Sequence, residues 1–293
     1  MGSQTFTLRQ APRVGIFFHP EFKGKSQVTY RDRLRDFPEA LAELLQKPNV
    51  RLNDCPRVSR DLLLKVHPPE MITMVDLEEE CTAAYTSVGG VVAAMEALSR
   101  RELDRAFCFT GTGGHHAGLQ EFWDESCFND VAVALTRVRE TGTCRRLAVV
   151  DTDARHAGGT MQLLGDDPEV LYFCFCRSNY RSLEGSWTEV NVFSREGQVD
   201  ADTHYLEKVR LQLPKISQFQ PDLLVWYFGF NTHADEYASL GLTAQAYPAI
   251  CELLASVAAA RDIPLLVVLG GGSLHTVAGA TIPAIIRRLA QDQ

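Results

Sequence analysis

The chain has 293 residues, 45% of them hydrophobic and 23% charged, with 37 acidic against 29 basic side chains and a formal net charge of −8. That length suits one large α/β domain, and the acidic balance argues against a nucleic-acid partner, whose phosphates need clustered Lys and Arg. The short pairs Arg100–Arg101, Arg145–Arg146 and Arg287–Arg288 read as solvated helix or loop ends, and the apolar runs are shorter than a membrane span needs.

Apolar runs and helical patterns alternate along the chain. A strand is predicted over 14–18, a helix over 31–45 and a long helix over 79–98. A strand over 106–109 follows, then a helix over 131–140 and strands over 147–150 and 170–176. The C-terminal part reads as helix 204–216, strand 223–228, helix 243–260, strand 265–269 and helix 274–290. This alternation predicts a single-domain α/β fold over 1–293, with a mainly parallel central sheet flanked by helices. No internal repeat or linker interrupts it.

Gly89 and Gly90 stand in the middle of the long helix, where each costs about 1 kcal/mol relative to Ala. Close packing against another element is the expected compensation. The eight cysteines include no Cys-x-x-Cys. Cys174 and Cys176 share one face of a predicted strand and read as small core residues in a reducing compartment, not as redox or structural zinc residues. The N-terminus lacks a basic stretch followed by an apolar core, so no secretory leader and a cytoplasmic location are expected.

In parallel sheets, ligands bind at the carboxyl ends of the strands. Four polar segments fall there: 110–116, 151–156, 229–235 and 270–273. The first holds His115 and His116 after a glycine-rich turn, a pair suited to proton transfer near neutral pH. Asp151 is available to orient one of the rings. Neither that turn nor Gly270–Gly272 has the spacing of a dinucleotide or triphosphate loop.

The order of Gly114-His115-His116-Ala117, Asp151-Thr152-Asp153-Ala154-Arg155-His156 and Gly229-Phe230-Asn231-Thr232-His233 resembles the histone deacetylase family of the arginase/deacetylase superfamily. Flanking matches extend the likeness over nearly the whole chain, including 30–35, 59–70, 127–134, Gly158-Gly159-Thr160, 219–224 and 240–243. The resemblance implies one α/β domain around an eight-stranded, mainly parallel sheet. It also implies that the His-His pair supplies the general base and acid, and that the positions of Asp153, Arg155 and Asn231 are those of three zinc ligands.

The chain departs from that pattern where the metal chemistry lies. The family's zinc-binding His is Arg155, whose guanidinium has no free lone pair. The family's third ligand, an Asp, is Asn231. The carbonyl-polarising Tyr is Ser273, and an aromatic of the acyl tunnel is Glu125. The resulting expectation is a protein without a metal or other cofactor. His115 and His116 would transfer protons, with Asp151 as orienter. Arg155, Asp153, Asn231, Glu125 and Ser273 would face a small-molecule or acyl-type substrate that is anionic or carries a carbonyl or amide. Arg155 either pairs with Asp153 or holds that substrate. Two alternatives stand beside it. One is a catalytically silent relative that binds a ligand or partner. The other is a metal-dependent amidohydrolase with rebuilt ligands, for which His156 and Asp235 are the spare donors. An extended strand would turn His156 away from the centre.

Overall fold

The computed structural model describes residues 11–23, 32–123, 126–193, 195 and 199–291. Its strands are β1 (Val14–Phe17), β2 (Val50–Asn53), β3 (Arg105–Cys108), β4 (Leu147–Asp151), β5 (Val170–Cys176), β6 (Tyr180–Arg181), β7 (Trp187–Asn191), β8 (Leu223–Phe228) and β9 (Leu265–Leu269). They form one sheet in the order β2-β1-β3-β9-β8-β4-β5-β7-β6. Every neighbouring pair is parallel except the antiparallel pair of β6 and β7. This is the mainly parallel α/β architecture expected from the sequence, with nine strands among the described residues where the resemblance implied eight.

The sequence makes the inner strands easy to place. β4, β5, β8 and β9 are buried along their whole length, as strands covered on both faces must be, and so they read as continuous apolar runs. The longer helices among the described residues are α1 (Pro69–Leu77), α2 (Ala84–Ser99), α3 (Asp130–Glu140), α4 (Gly158–Leu164), α5 (Ala201–Phe219), α6 (Ala246–Ala260) and α7 (His275–Leu289). α2 packs on α3, while α5 packs on α6 and α6 on α7.

α2 shows why its glycines are there. A Cβ on Gly89 would lie 1.7 Å from the carbonyl oxygen of Pro56, so the helix touches that backbone directly. The segment Glu79–Ser99 is apolar enough by length and composition to cross a membrane, but it is mostly buried inside this fold.

The helix predicted over 31–45 does not form as such. Its described part is turns, a 3-10 turn at Glu39–Leu41 and one α-helical turn at Ala42–Leu45. Pro38 is the cause: it lacks an N–H and restricts the residue before it to non-helical conformations. One cysteine pair also departs from expectation, since Cys81 and Cys127 form a disulfide between the segment preceding α2 and the approach to α3.

Candidate functional site

The four polar segments follow β3, β9, β8 and β4, which are consecutive in the sheet. Parallel pairing brings their carboxyl ends to one edge, with Cys108 beside Val268, Leu269 beside Phe228 and Tyr227 beside Asp151. Residues scattered over more than half the chain thus meet in one place.

His115 and Asp151 are the centre of the arrangement. The His115 Nδ1 lies 2.8 Å from Asp151 Oδ2, and both side chains are buried. The same carboxylate oxygen accepts from the Tyr172 hydroxyl at 2.6 Å, while Oδ1 accepts from the Asp153 N–H at 3.0 Å. The His115 ring stacks on Tyr227 with centroids 4.8 Å apart. The Tyr227 hydroxyl in turn accepts the Gly114 N–H at 2.8 Å, fixing the turn that carries both histidines. His116 packs against His115 at 4.0 Å and stacks on Trp123 at 4.2 Å. Trp123 is thereby one wall of the site.

Burial alone would push the His115 imidazolium toward neutrality. The carboxylates of Asp151 and Asp153 outweigh that cost and lift its pKa from 6.5 to about 9. At neutral pH this ring is therefore a cation, with Nε2 3.8 Å from Asp153 Oδ1.

Asp153 and Asn231 form a second unit. Asp153 Oδ1 accepts from Asn231 Nδ2 at 2.7 Å and from the Arg155 backbone N–H at 3.1 Å. Its Oδ2 accepts from the Gly271 N–H at 2.7 Å. The Asn231 amide oxygen accepts from the Ala154 N–H at 3.1 Å. Gly271 has to be glycine here, because a Cβ would stand 2.3 Å from Asn231 Nδ2.

Arg155 and Ser273 have partners of their own. The Arg155 guanidinium carbon sits over the Tyr237 ring, 5.3 Å from its centroid. Asn231 Nδ2 also reaches the Tyr237 hydroxyl, at 3.4 Å. Ser273 is bound to Glu236 through its hydroxyl at 2.8 Å and its N–H at 3.0 Å. Glu236 accepts the Leu274 N–H as well, so it caps the approach to α7. Glu125 lies outside the described residues. His156 turns away from Asp153, toward Cys174 and Glu189 on β5 and β7.

Three participants were not foreseen. Tyr172 and Tyr227 hold the His115–Asp151 pair from β5 and β8, and Tyr237 places a phenol beside Asn231. Arg33 is a fourth support. It is buried and donates to Gly270 O at 2.6 Å, Gly272 O at 3.1 Å and Thr110 O at 3.0 Å, tying the loops after β9 and β3 together.

The histone deacetylase domain model matches residues 27–289. The chain belongs to the histone deacetylase family. Among similar histone deacetylases, histone deacetylase 5 of Arabidopsis thaliana is 27% identical over 231 residues, or 72% of this chain and 34% of that protein. Human histone deacetylase 7 is 28% identical over 68% of this chain and 23% of its own length. The chain thus spans about a third of the plant relative and about a quarter of the human one. A probable deacetylase of Archaeoglobus fulgidus is 24% identical over 91% of this chain and 82% of its own. The crystal structure of the HDA15 HD domain superposes with a TM-score of 0.81 at 21% identity, covering 95% of this chain and 90% of that one, which establishes a shared histone deacetylase fold.

Proposed function

We propose that this member of the histone deacetylase family works without zinc at the family centre, as an acid–base site for a small ligand that is anionic or carries a carbonyl or amide. Family membership weighs toward zinc. The donor set weighs against it. Zinc needs three protein lone-pair donors and an open position. Here the Arg155 guanidinium offers none. Both Asp153 oxygens and the Asn231 oxygen already accept N–H groups of the protein. The closed Asp153–Asn231–Gly271 unit is the single observation that carries the reading.

The chemistry then rests on the chain's own residues. His115, an imidazolium held by Asp151, is suited to donate a proton or stabilise negative charge on a ligand oxygen. His116, next to it under Trp123, takes the role of base. Arg155 and Tyr237 supply a cation and a phenol on the Asn231 side. The expected substrate is small because the groups that would meet it, His115, His116, Asp153 and Asn231, are all buried. Replacing His115 or His116 by Ala should lower turnover of small amide or ester substrates at least about 100-fold, with chelators leaving the parent unaffected. Undiminished turnover in both variants overturns the assignment.

A second reading is favoured by the same closed unit. A site whose polar groups are satisfied internally also suits a protein that binds such ligands without turning them over. Thermal-shift screening with small carboxylates and acyl amides, run beside the activity assay, separates the two: binding with no turnover across these classes selects the silent form.

A further inference from the structure

We propose that His156, Cys174 and Cys176 form a binding site for a thiophilic divalent cation of the Zn2+ class, with Glu189 as the fourth corner. The site is separate from the family centre and does not depend on how that centre works. Its residues come together because alternation along β5 puts the Cys174 and Cys176 sulfurs on one face. Parallel register then sets Glu189 of β7 beside Cys174. The turn after β4 swings His156 over them.

The ligand atoms of the three residues lie within 4.8 Å of one another. His156 Nδ1 is 3.7 Å from Cys174 Sγ and 3.6 Å from Glu189 Oε1. Tetrahedral zinc with bonds of about 2.3 Å to sulfur and 2.0 Å to nitrogen holds its ligand atoms roughly 3.6–3.8 Å apart. The shorter separations already match, and closing the longest requires a movement of about 1 Å, within the reach of side-chain rotation. Sulfur and imidazole donors select soft or borderline cations over Ca2+ and Mg2+.

Glu189 supplies an independent reason for a cation. It is buried, and its two side-chain contacts are long: Trp187 Nε1 donates at 3.4 Å, and His156 stands at 3.6 Å. Among the described residues its only ion-pair partner is His156. A carboxylate taken out of water needs a close positive charge, and neither contact provides one at bonding distance. Access exists, since the half-exposed His156 borders an open cavity of about 350 Å3 that is also lined by Met161, Tyr180 and Trp187. Cys174 and Cys176 are therefore more than the core residues expected from sequence, where neither His156 nor Glu189 could be placed beside them.

The test is titration of the chelator-treated full chain with Co2+ alone, read by absorption. One equivalent should bring up the thiolate-to-cobalt charge-transfer band, and added Zn2+ should remove it. Cys176→Ser should abolish the band. His156→Gln, at a half-exposed position where folding is not at stake, should weaken Co2+ binding at least tenfold. Asp153→Asn, at the family centre, should leave the band unchanged. No band in the parent, a band that survives both Cys176→Ser and His156→Gln, or one lost in Asp153→Asn overturns the proposal.

Discussion

Replacing Asp151 by Asn removes one charge and keeps the shape, so it isolates what that carboxylate does for His115. In the parent, the lift of the His115 pKa from 6.5 to about 9 corresponds to about 3 kcal/mol of preference for the charged ring in the folded state. The folded value is the raised one. That stabilisation is therefore fully present below pH 6.5 and is lost as pH climbs through about 9. In Asp151→Asn, burial remains while its main opponent is gone, so the His115 pKa should fall below 6.5. Histidine ring signals followed by NMR against pH read the ionisation directly. Urea unfolding at pH 7.5 and pH 9 reads the linked stability, taken as the difference between variant and parent so that other titrating groups cancel. The parent should lose about 1.5 kcal/mol more over that interval than the variant. An unchanged His115 titration, or equal losses, would refute the dyad as the source of the charge.

Three further outcomes are expected. Asp130 is buried, its Oδ2 has no hydrogen-bond partner among the described residues, and burial raises its pKa to about 7, so its ionisation opposes folding as pH rises from about 4 to 7. Asp130→Asn should consequently add roughly 1–3 kcal/mol at pH 8 and almost nothing at pH 4, measured by urea unfolding at both values. Gly89→Ala should destabilise by about 1–3 kcal/mol net, because the collision with Pro56 O outweighs the better helix propensity; a stabilised variant would contradict the packing described for α2. Asn231→Asp alone should not create a zinc site, since Arg155 still stands there, whereas Asn231→Asp with Arg155→His should gain a chelator-sensitive metal. Metal analysis in a Cys176→Ser background checks both.

What the sequence made legible follows from burial. Strands covered on both faces, such as Leu223–Phe228 and Leu265–Leu269, read as apolar runs with the bounds that the structure shows. The edge strands escaped notice for the converse reason. β2 has only Val50 buried and β6 is exposed, while β7, an inner and largely buried strand, was missed because Thr188 and Glu189 interrupt its apolar residues. The site's residues were legible because they follow those apolar runs directly. Their partners were not. Asn231 reaches Asp153 across 78 residues, and Arg33 reaches Gly270 across 237. Such pairings depend on strand order, which local pattern does not contain. The ring beneath His115 belongs to β8 and the hydroxyl on Asp151 to β5, so Tyr227 and Tyr172 became visible only with the sheet assembled.

The most direct test of a zinc-free family centre is the metal content of the isolated full chain beside its Asp153→Asn and Cys176→Ser variants. Any stoichiometric metal should be retained in Asp153→Asn and lost in Cys176→Ser. Metal that leaves with Asp153→Asn, and takes activity with it, would place a working metal ion at the family centre and contradict the account.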